Sequence, residues 1–284
     1  MTDILTLVFR TFTSQTAGSE ELTVPPTSPA TCSALLVGDA GLSRSVLLLA
    51  AVTAASEMGV RVVFFTQTRI QSLPPCLQKR VPSVSPESLK KIQFCYPRTM
   101  EELLQQVAGL HEPTNTCPAP PSLIVVDGLE GYLCGPGECG GGLSGFHLGE
   151  QPVQAAHLSA LLCDSAAFLT RALRSRSPSS GPCRVVASFQ PPGGDGGRAP
   201  GEASSAADPT LQVLDRYFRV RCTLDRAGSY EAAAAGLHEV WNIYLSGTGL
   251  AEASCAKDCE DRPAGAQEWK LFIPPDGFME FKLV

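Results

Sequence analysis

The feature that most constrains this chain is a series of short apolar runs separated by segments with a helical pattern. Five of these runs are CSALLVG, VRVVFFT, KKIQFCYP, SLIVVD and CRVVASFQ. Runs that are apolar at successive positions are typical of strands buried on both faces. Buried strands that alternate with helices favour a parallel sheet that is covered on both faces.

Segments with helical character lie between the runs, and their ends carry recognisable signals. SVLLLAAVTAASEMG follows the small-residue loop DAGLS and stops at Gly59. TMEELLQQVAGL begins with a capping box of Thr99 and Glu102, QAAHLSALLCDSAAFLTRALRSR has leucines along one stripe, and LQVLDRYF is a short helix. The last runs, RVRCTL, EVWNIYLS, EWKLFIP and GFMEFKLV, have no helices between them. The sequence therefore predicts an α/β fold: a mainly parallel sheet flanked by helices, with a C-terminal antiparallel meander.

The composition of the ends and loops suggests how the chain is organised. Residues 1–30 are predicted to be a flexible N-terminal tail, and residues 31–284 a single folded core. The apolar stretch ILTLVFRTF in the tail is interpreted as an edge strand, a docking peptide or a mobile end, so we expect deletion of residues 1–30 to leave the core folded. Two low-complexity stretches, 131–150 and 191–209, are predicted to be flexible loops.

Charge and cysteine usage exclude several classes of protein. The net charge is −6, so any DNA contact is expected to be local or shared with a partner. No signal peptide or long apolar run indicates export or a membrane span. Eleven cysteines without framework spacing predict reduced intracellular thiols. The close pairs Cys134/Cys139 and Cys255/Cys259 have no histidine partners, so no structural zinc is expected.

A candidate phosphate loop follows the first apolar run. Phosphate loops place a glycine-rich turn between a strand and the N-terminus of a helix, with the pattern G-x-x-x-x-G-K-[ST]. The candidate cofactor-binding residues are those of the stretch GDAGLSRS, namely Gly38, Asp39, Ala40, Gly41, Leu42, Ser43, Arg44 and Ser45.

This loop departs from the pattern at two positions. Ser43 stands in place of the second glycine and brings a Cβ to a point where the backbone must approach phosphate. Arg44 stands in place of the lysine and is a planar fork in place of a compact ammonium. The pattern therefore predicts nucleotide binding that is weaker than in an intact loop, and a simple strand–helix turn capped by Ser43 remains the alternative.

A carboxylate ends the strongest apolar run. Asp127 terminates SLIVVD, which is where P-loop NTPases place the aspartate that orients Mg²⁺, and Ser45 is the matching hydroxyl. An ordinary Asp-Gly turn is the alternative. A general base is expected after VVFFT, but Gln67 stands there in place of a carboxylate. Glu130 is a weak candidate for the role of base, so fast hydrolysis is not expected.

In order and spacing, these segments resemble the RecA/recombinase-paralogue family of P-loop ATPases, over residues 32–284. Within it they are most similar to the SWIM-domain zinc-finger-associated ATPase subunit of the animal Shu complex, through FFTQTRIQSLP, LKKIQFCYPRTMEELL, SLIVVDGLEGYL and LQVLDRYF. The resemblance implies ATP with Mg²⁺ as cofactor and catalytic roles for Arg44, Asp127 and Gln190, the last sensing nucleotide state. It also implies that loops 131–150 and 191–209 contact DNA.

The same resemblance implies a nuclear protein of homologous recombination. Its expected partners are a SWIM-domain zinc-finger protein, the recombinase and recombinase paralogues, and single-stranded DNA, with no membrane. The second loop carries only Arg198 as a basic residue, whereas Arg171, Arg174, Arg176 and Arg184 form a denser basic cluster. Two functions stay open: a weak DNA-stimulated ATPase, and a non-enzymatic pseudo-ATPase scaffold that stabilises its partner and supports recombinase filaments.

Overall fold

A nine-stranded sheet organises the parts of the chain that the computed structural model describes, which are residues 4–13, 33–71, 73–80, 85–112, 119–134, 150–192, 208–228, 237–247 and 267–284. The strands are β1 (Ser33–Val37), β2 (Val62–Thr66), β3 (Ile92–Cys95), β4 (Leu123–Asp127), β5 (Arg184–Phe189), β6 (Val220–Arg226), β7 (Glu239–Gly247), β8 (Gln267–Ile273) and β9 (Glu280–Leu283). Their order is β3-β2-β4-β5-β1-β6-β7-β8-β9. Strands β1 to β6 pair in parallel, and β6 to β9 form an antiparallel meander.

Helices cover both faces of this sheet. They are α1 (Ile4–Thr11), α2 (Ala40–Ser56), α3 (Pro75–Arg80), α4 (Pro86–Leu89), α5 (Met100–Ala108), α6 (Leu129–Leu133), α7 (Gln151–Arg176) and α8 (Pro209–Tyr217), and a 3₁₀ turn at Gly109–His111 follows α5. Successive strand residues point to opposite faces, so Leu36 and Phe64 pack in the cluster that holds α1 and α2, whereas Leu35 and Phe65 pack with α5, α7 and α8. The predicted fold class is confirmed. None of the helices in these described ranges is long and apolar enough to cross a bilayer.

The capping box at the start of α5 is present, with one change in its second contact. The Thr99 hydroxyl accepts a hydrogen bond from the Glu102 amide at 3.2 Å. The Glu102 carboxylate accepts from the amide of Arg98, one residue before the cap, at 2.7 Å. Both contacts occupy amide groups at a helix end, where intrahelical partners are lacking.

The N-terminal segment differs from its prediction. Residues 4–11 form α1, which packs against α2 and β9. Phe9 is fully buried, and its ring lies 4.7 Å from that of Phe281 and 5.5 Å from that of Trp269. The interpretation as a mobile tail or edge strand is therefore wrong for residues 4–11, whereas Thr13 forms an isolated parallel bridge with Phe281 of β9. Residues 1–3 and 14–30 of that tail lie outside the described residues. Ile4, Leu5, Val8 and Phe9 follow helical spacing, which a short, densely apolar stretch conceals.

The loop predictions are also wrong at their edges. Residues 131–133 belong to α6, because Gly128 turns the chain with a φ of 74° immediately after β4. Asp208 and Pro209 begin α8, where the Asp208 carboxylate accepts a hydrogen bond from the Thr210 amide at 2.8 Å. The remaining parts, 135–149 and 193–207, lie outside the described residues.

We predict that Phe9→Ala lowers the free energy of unfolding by about 3–5 kcal/mol, because a fully buried ring is removed from between two aromatic partners. Denaturant unfolding of the full chain measures this change. Arg10→Ala is the matched control, since the neighbouring side chain is exposed. Equal unfolding midpoints for both variants would mean that α1 does not belong to the core.

Candidate functional site

The candidate site residues meet at the carboxyl ends of the parallel strands. Thr66 pairs with Asp127 at the ends of β2 and β4, and Val37 pairs with Phe189 at the ends of β1 and β5. Strand β5 lies between β1 and β4, and α2 runs from the end of β1 across both β5 and β4. In open parallel sheets this edge is where ligands bind.

An ion pair between Arg44 and Asp127 joins two of the three predicted catalytic residues. The Arg44 Nε donates to Asp127 Oδ2 at 2.6 Å, and the Thr66 hydroxyl donates to the same oxygen at 2.9 Å. The Asp127 side chain is 3% exposed and that of Arg44 is 41% exposed. A buried carboxylate needs such donors, because burial without them is costly. The structure therefore brings the two residues together, but their charged groups are bonded to each other and do not face a ligand.

The predicted phosphate loop is much shorter than a phosphate-binding loop. Helix α2 begins at Ala40, so only Gly38 and Asp39 separate it from β1. The sequence predicts a helix from Ser45 onwards, and this start is wrong by five positions. Ala40 to Ser45 are already helical, so the connection ahead of the helix is a two-residue turn and not a loop long enough to wrap around a phosphate.

The N-terminus of α2 is capped by the chain itself. The Asp39 carboxylate accepts a hydrogen bond from the Leu42 amide at 2.8 Å, and the Asp39 carbonyl accepts from the Ser43 amide at 2.9 Å. The alternative of a simple strand–helix turn matches this connection, but its capping residue is Asp39 and not Ser43. Among the described residues, the buried Ser43 hydroxyl has no hydrogen-bond partner.

Gly38 has a structural explanation that does not involve phosphate. Its φ is 150°, and a Cβ at this position would lie 2.7 Å from the carbonyl oxygen of Leu224 in β6. Only glycine fits this close approach between neighbouring strands. The match of Gly38 to the first glycine of the phosphate-loop pattern is therefore accounted for by packing of the sheet.

These residues, as they are arranged, do not fit ATP with Mg²⁺. A phosphate at the N-terminus of α2 would meet the carboxylate of Asp39, which is already an anion at that position. The Ser45 hydroxyl donates back to the Gly41 carbonyl at 3.0 Å, and Asp127 is bound to Arg44. The predicted metal residues Ser45 and Asp127 are thus both engaged within the protein.

A second set of contacts ties α6 to the neighbouring strands. Glu130 accepts a hydrogen bond from the backbone amide of Gln190 at 2.9 Å, and the Ser188 hydroxyl accepts from the Gly128 amide at 2.9 Å. The Gln67 side chain donates to the Gly131 carbonyl at 2.9 Å. Glu130 therefore links α6 to the end of β5, which is the position predicted to sense nucleotide.

The environment of Glu130 favours its protonated form. Burial raises the pKa of this carboxyl above its ordinary value of 4.5, and the nearby charge of Asp127 raises it further. Hydrogen bonds from backbone amides and the charge of Arg44 lower the pKa, but they do not outweigh burial. A raised pKa suits proton transfer, although Glu130 is also held by its contact with Gln190.

Sequence reasoning missed Thr66 and gave Asp39 a different role. Thr66 reaches Asp127 only because β2 and β4 are adjacent in register, and no local pattern reveals that pairing. Asp39 was assigned to a phosphate loop, although an Asp at the start of a helix is a common N-cap signal. Within the described ranges, no group of three or more His, Cys, Asp or Glu side chains could hold a metal. Cys139, Cys255 and Cys259 lie outside those ranges.

The chain is similar in sequence or in structure to several known proteins. No family model matches the chain. It is 34% identical over 194 residues to ATPase SWSAP1 of Mus musculus, an alignment that covers 67% of the chain and 57% of that protein. It is 33% identical over 195 residues to ATPase SWSAP1 of Homo sapiens, covering 67% of the chain and 70% of that protein. A KaiC-like protein of Pyrococcus horikoshii matches 89% of both chains with a TM-score of 0.49 and 11% identity.

We predict that Glu130→Gln raises the melting temperature at neutral pH. The folded-state pKa of Glu130 is raised, so the unfolded chain binds fewer protons and stability falls as pH rises from 4.5 through that pKa. Glutamine stays neutral and still offers an oxygen to the Gln190 amide. The difference between variant and wild type is therefore expected to vanish on acidification.

Thermal unfolding across a pH series tests this expectation. Glu101→Gln is the control, because it removes one carboxylate from an exposed position. A melting temperature for Glu130→Gln that falls below that of Glu101→Gln at neutral pH would contradict the expected sign.

Proposed function

Because the chain belongs to the family of ATPase SWSAP1, we propose that it is an ATPase-like accessory subunit of homologous recombination that works as a pseudo-ATPase scaffold. In this proposal the chain holds a SWIM-domain zinc-finger partner in the nucleus and supports recombinase filaments on single-stranded DNA. The resemblance of its segments to recombinase paralogues supports the choice of partners. The net charge of −6 supports DNA contacts that are local or shared with the partner.

The ion pair between Arg44 and Asp127 is the observation that carries the proposal. In P-loop NTPases, the loop cation contacts the β- and γ-phosphates and the strand-end carboxylate holds Mg²⁺, so both must face the ligand. Here the two groups satisfy each other at 2.6 Å. If the two groups separate, the buried carboxylate loses a charge-assisted hydrogen bond. The free-energy cost of that loss lowers any affinity for ATP.

The N-terminus of α2 supports the same conclusion independently. Its cap is Asp39, and the amides of Leu42 and Ser43 are both bonded to that residue. Nucleotide binding at this helix end would require the Asp39 side chain to move as well as the ion pair to open. Because two separate rearrangements would be needed, this geometry does not favour routine ATP hydrolysis.

A weak DNA-stimulated ATPase is the second candidate, and one observation favours it. The Arg44 side chain is 41% exposed, so it has room to move off Asp127 when a ligand or partner competes for it. Ser45 and Asp127 would then be available to Mg²⁺, with Glu130 nearby. ATP with Mg²⁺ would be the cofactor of this candidate, bound weakly.

We predict that the full chain with its SWIM-domain partner hydrolyses ATP no faster than a preparation carrying Arg44→Ala, with or without single-stranded DNA. We also predict that Arg44→Ala leaves the affinity for the partner unchanged. Steady-state phosphate release and a titration of the partner measure the two quantities. Arg216→Ala is the control, since it removes an exposed arginine from α8.

An ATPase rate that falls at least about a hundredfold in Arg44→Ala and not in Arg216→Ala would contradict the scaffold and establish the second candidate, because losing a group that stabilises transition-state charge has an effect of that size.

A further inference from the structure

A cavity of about 670 Å³ opens beside β3, and neither Arg44 nor Asp127 is among its lining residues. Its floor is formed by β2 and β3, and its walls by α5 with the 3₁₀ turn and by the C-terminal half of α7. The lining residues Arg61, Lys91 and Arg176 lie at the starts of β2 and β3 and at the end of α7. These three basic residues are thus near the amino ends of β2 and β3, whereas the Arg44–Asp127 pair is at the carboxyl ends of the parallel strands.

The lining of this cavity is basic in a chain that is acidic overall. Arg61, Lys90, Lys91 and Arg176 line it, and Glu112 is the carboxylate among its lining residues. The full chain has 28 acidic and 22 basic residues, so the excess of basic residues at the cavity is opposite in sign to the net charge of the chain. Lys90 also contacts Glu87 at 2.8 Å, but both side chains are exposed and the pair is weak.

An exposed aromatic ring stands at the edge of the same cavity. Phe168 of α7 is 47% exposed, and the ring of His111 meets it edge-on at 5.7 Å. The guanidinium of Arg171 lies 5.9 Å from the centre of the Phe168 ring. A ring of this kind beside cations offers a stacking surface next to groups that neutralise phosphate.

We propose that this cavity binds a segment of single-stranded nucleic acid, with its phosphodiesters against Arg61, Lys91 and Arg176 and a base stacked on Phe168. The inference rests on the single-stranded DNA of the proposed function, and it assigns the contact to a surface other than loops 131–150 and 191–209. A volume of about 670 Å³ is in the range of small-ligand sites. It would enclose one or two nucleotides while the strand continues outside.

The arrangement of the cations favours a strand over the alternatives. Arg61 and Lys91 precede two paired strands and Arg176 ends α7, so successive phosphates of a strand can each meet one of them. An acidic peptide would also be attracted by the charge. The exposed ring of Phe168 favours bases, because every base offers a flat face for stacking.

The test is fluorescence anisotropy of a labelled oligothymidylate with the full chain, over a series of salt concentrations. Phe168→Ala is expected to weaken binding roughly tenfold, as loss of one stacked base does. Lys91→Glu is expected to weaken binding and to reduce the slope of log affinity against log salt by about 1. The controls are Tyr244→Ala and Lys282→Glu, which change an exposed ring and an exposed cation on the meander. Thermal unfolding verifies that all four variants are folded.

Each outcome has a defined meaning. Losses confined to Phe168→Ala and Lys91→Glu support the cavity as the binding site. Tight binding that neither variant changes overturns this site but leaves single-stranded DNA as a partner. Absence of binding overturns both the site and that part of the proposed function. A polyglutamate peptide that binds where the oligonucleotide does not would also overturn the proposal.

Discussion

The contact between Arg44 and Asp127 is the interaction on which the carboxyl edge of the sheet depends. Asp127 is a buried carboxylate at the end of a central strand, and it is stable as an anion there because Arg44 and Thr66 both donate to it. Arg44 can reach it because α2 starts immediately after Asp39 and crosses β5 and β4. The short connection and the ion pair are therefore two aspects of one arrangement, in which the charges of Arg44 and Asp127 satisfy each other.

The stability of this fold does not depend on the chemistry that such folds often perform. The nine-stranded sheet and its buried clusters are held by apolar packing, which does not depend on a ligand at the edge. Helix α1 adds to that packing by covering the meander through Phe9. The proposed scaffold role needs only this frame, and the cavity beside β3 is the surface to which we assign its nucleic-acid contact.

Much of the fold was predictable from the sequence, because buried strands and capped helices leave local patterns. The runs that become β1 to β5 and the capping residues Thr99 and Glu102 are examples. The site was less predictable, since its contacts join residues far apart in the chain. Thr66 and Asp127 are 61 positions apart and meet through the sheet register, and the helical start at Ala40 depends on the cap at Asp39. Motif matching identified Arg44 and Asp127, but it could not show that they bind each other.

Arg44 and Asp127 are expected to stabilise each other rather than to bind a nucleotide. A double-mutant cycle is the most direct measurement of this interaction. Denaturant unfolding of wild type, Arg44→Ala, Asp127→Ala and the double variant gives the coupling energy between the two side chains, with and without ATP and Mg²⁺. We predict a coupling of about 1 kcal/mol or more, as expected for residues in direct contact, and we expect nucleotide to leave it unchanged. Additive effects of the two substitutions, or a coupling that disappears when ATP and Mg²⁺ are added, would contradict it.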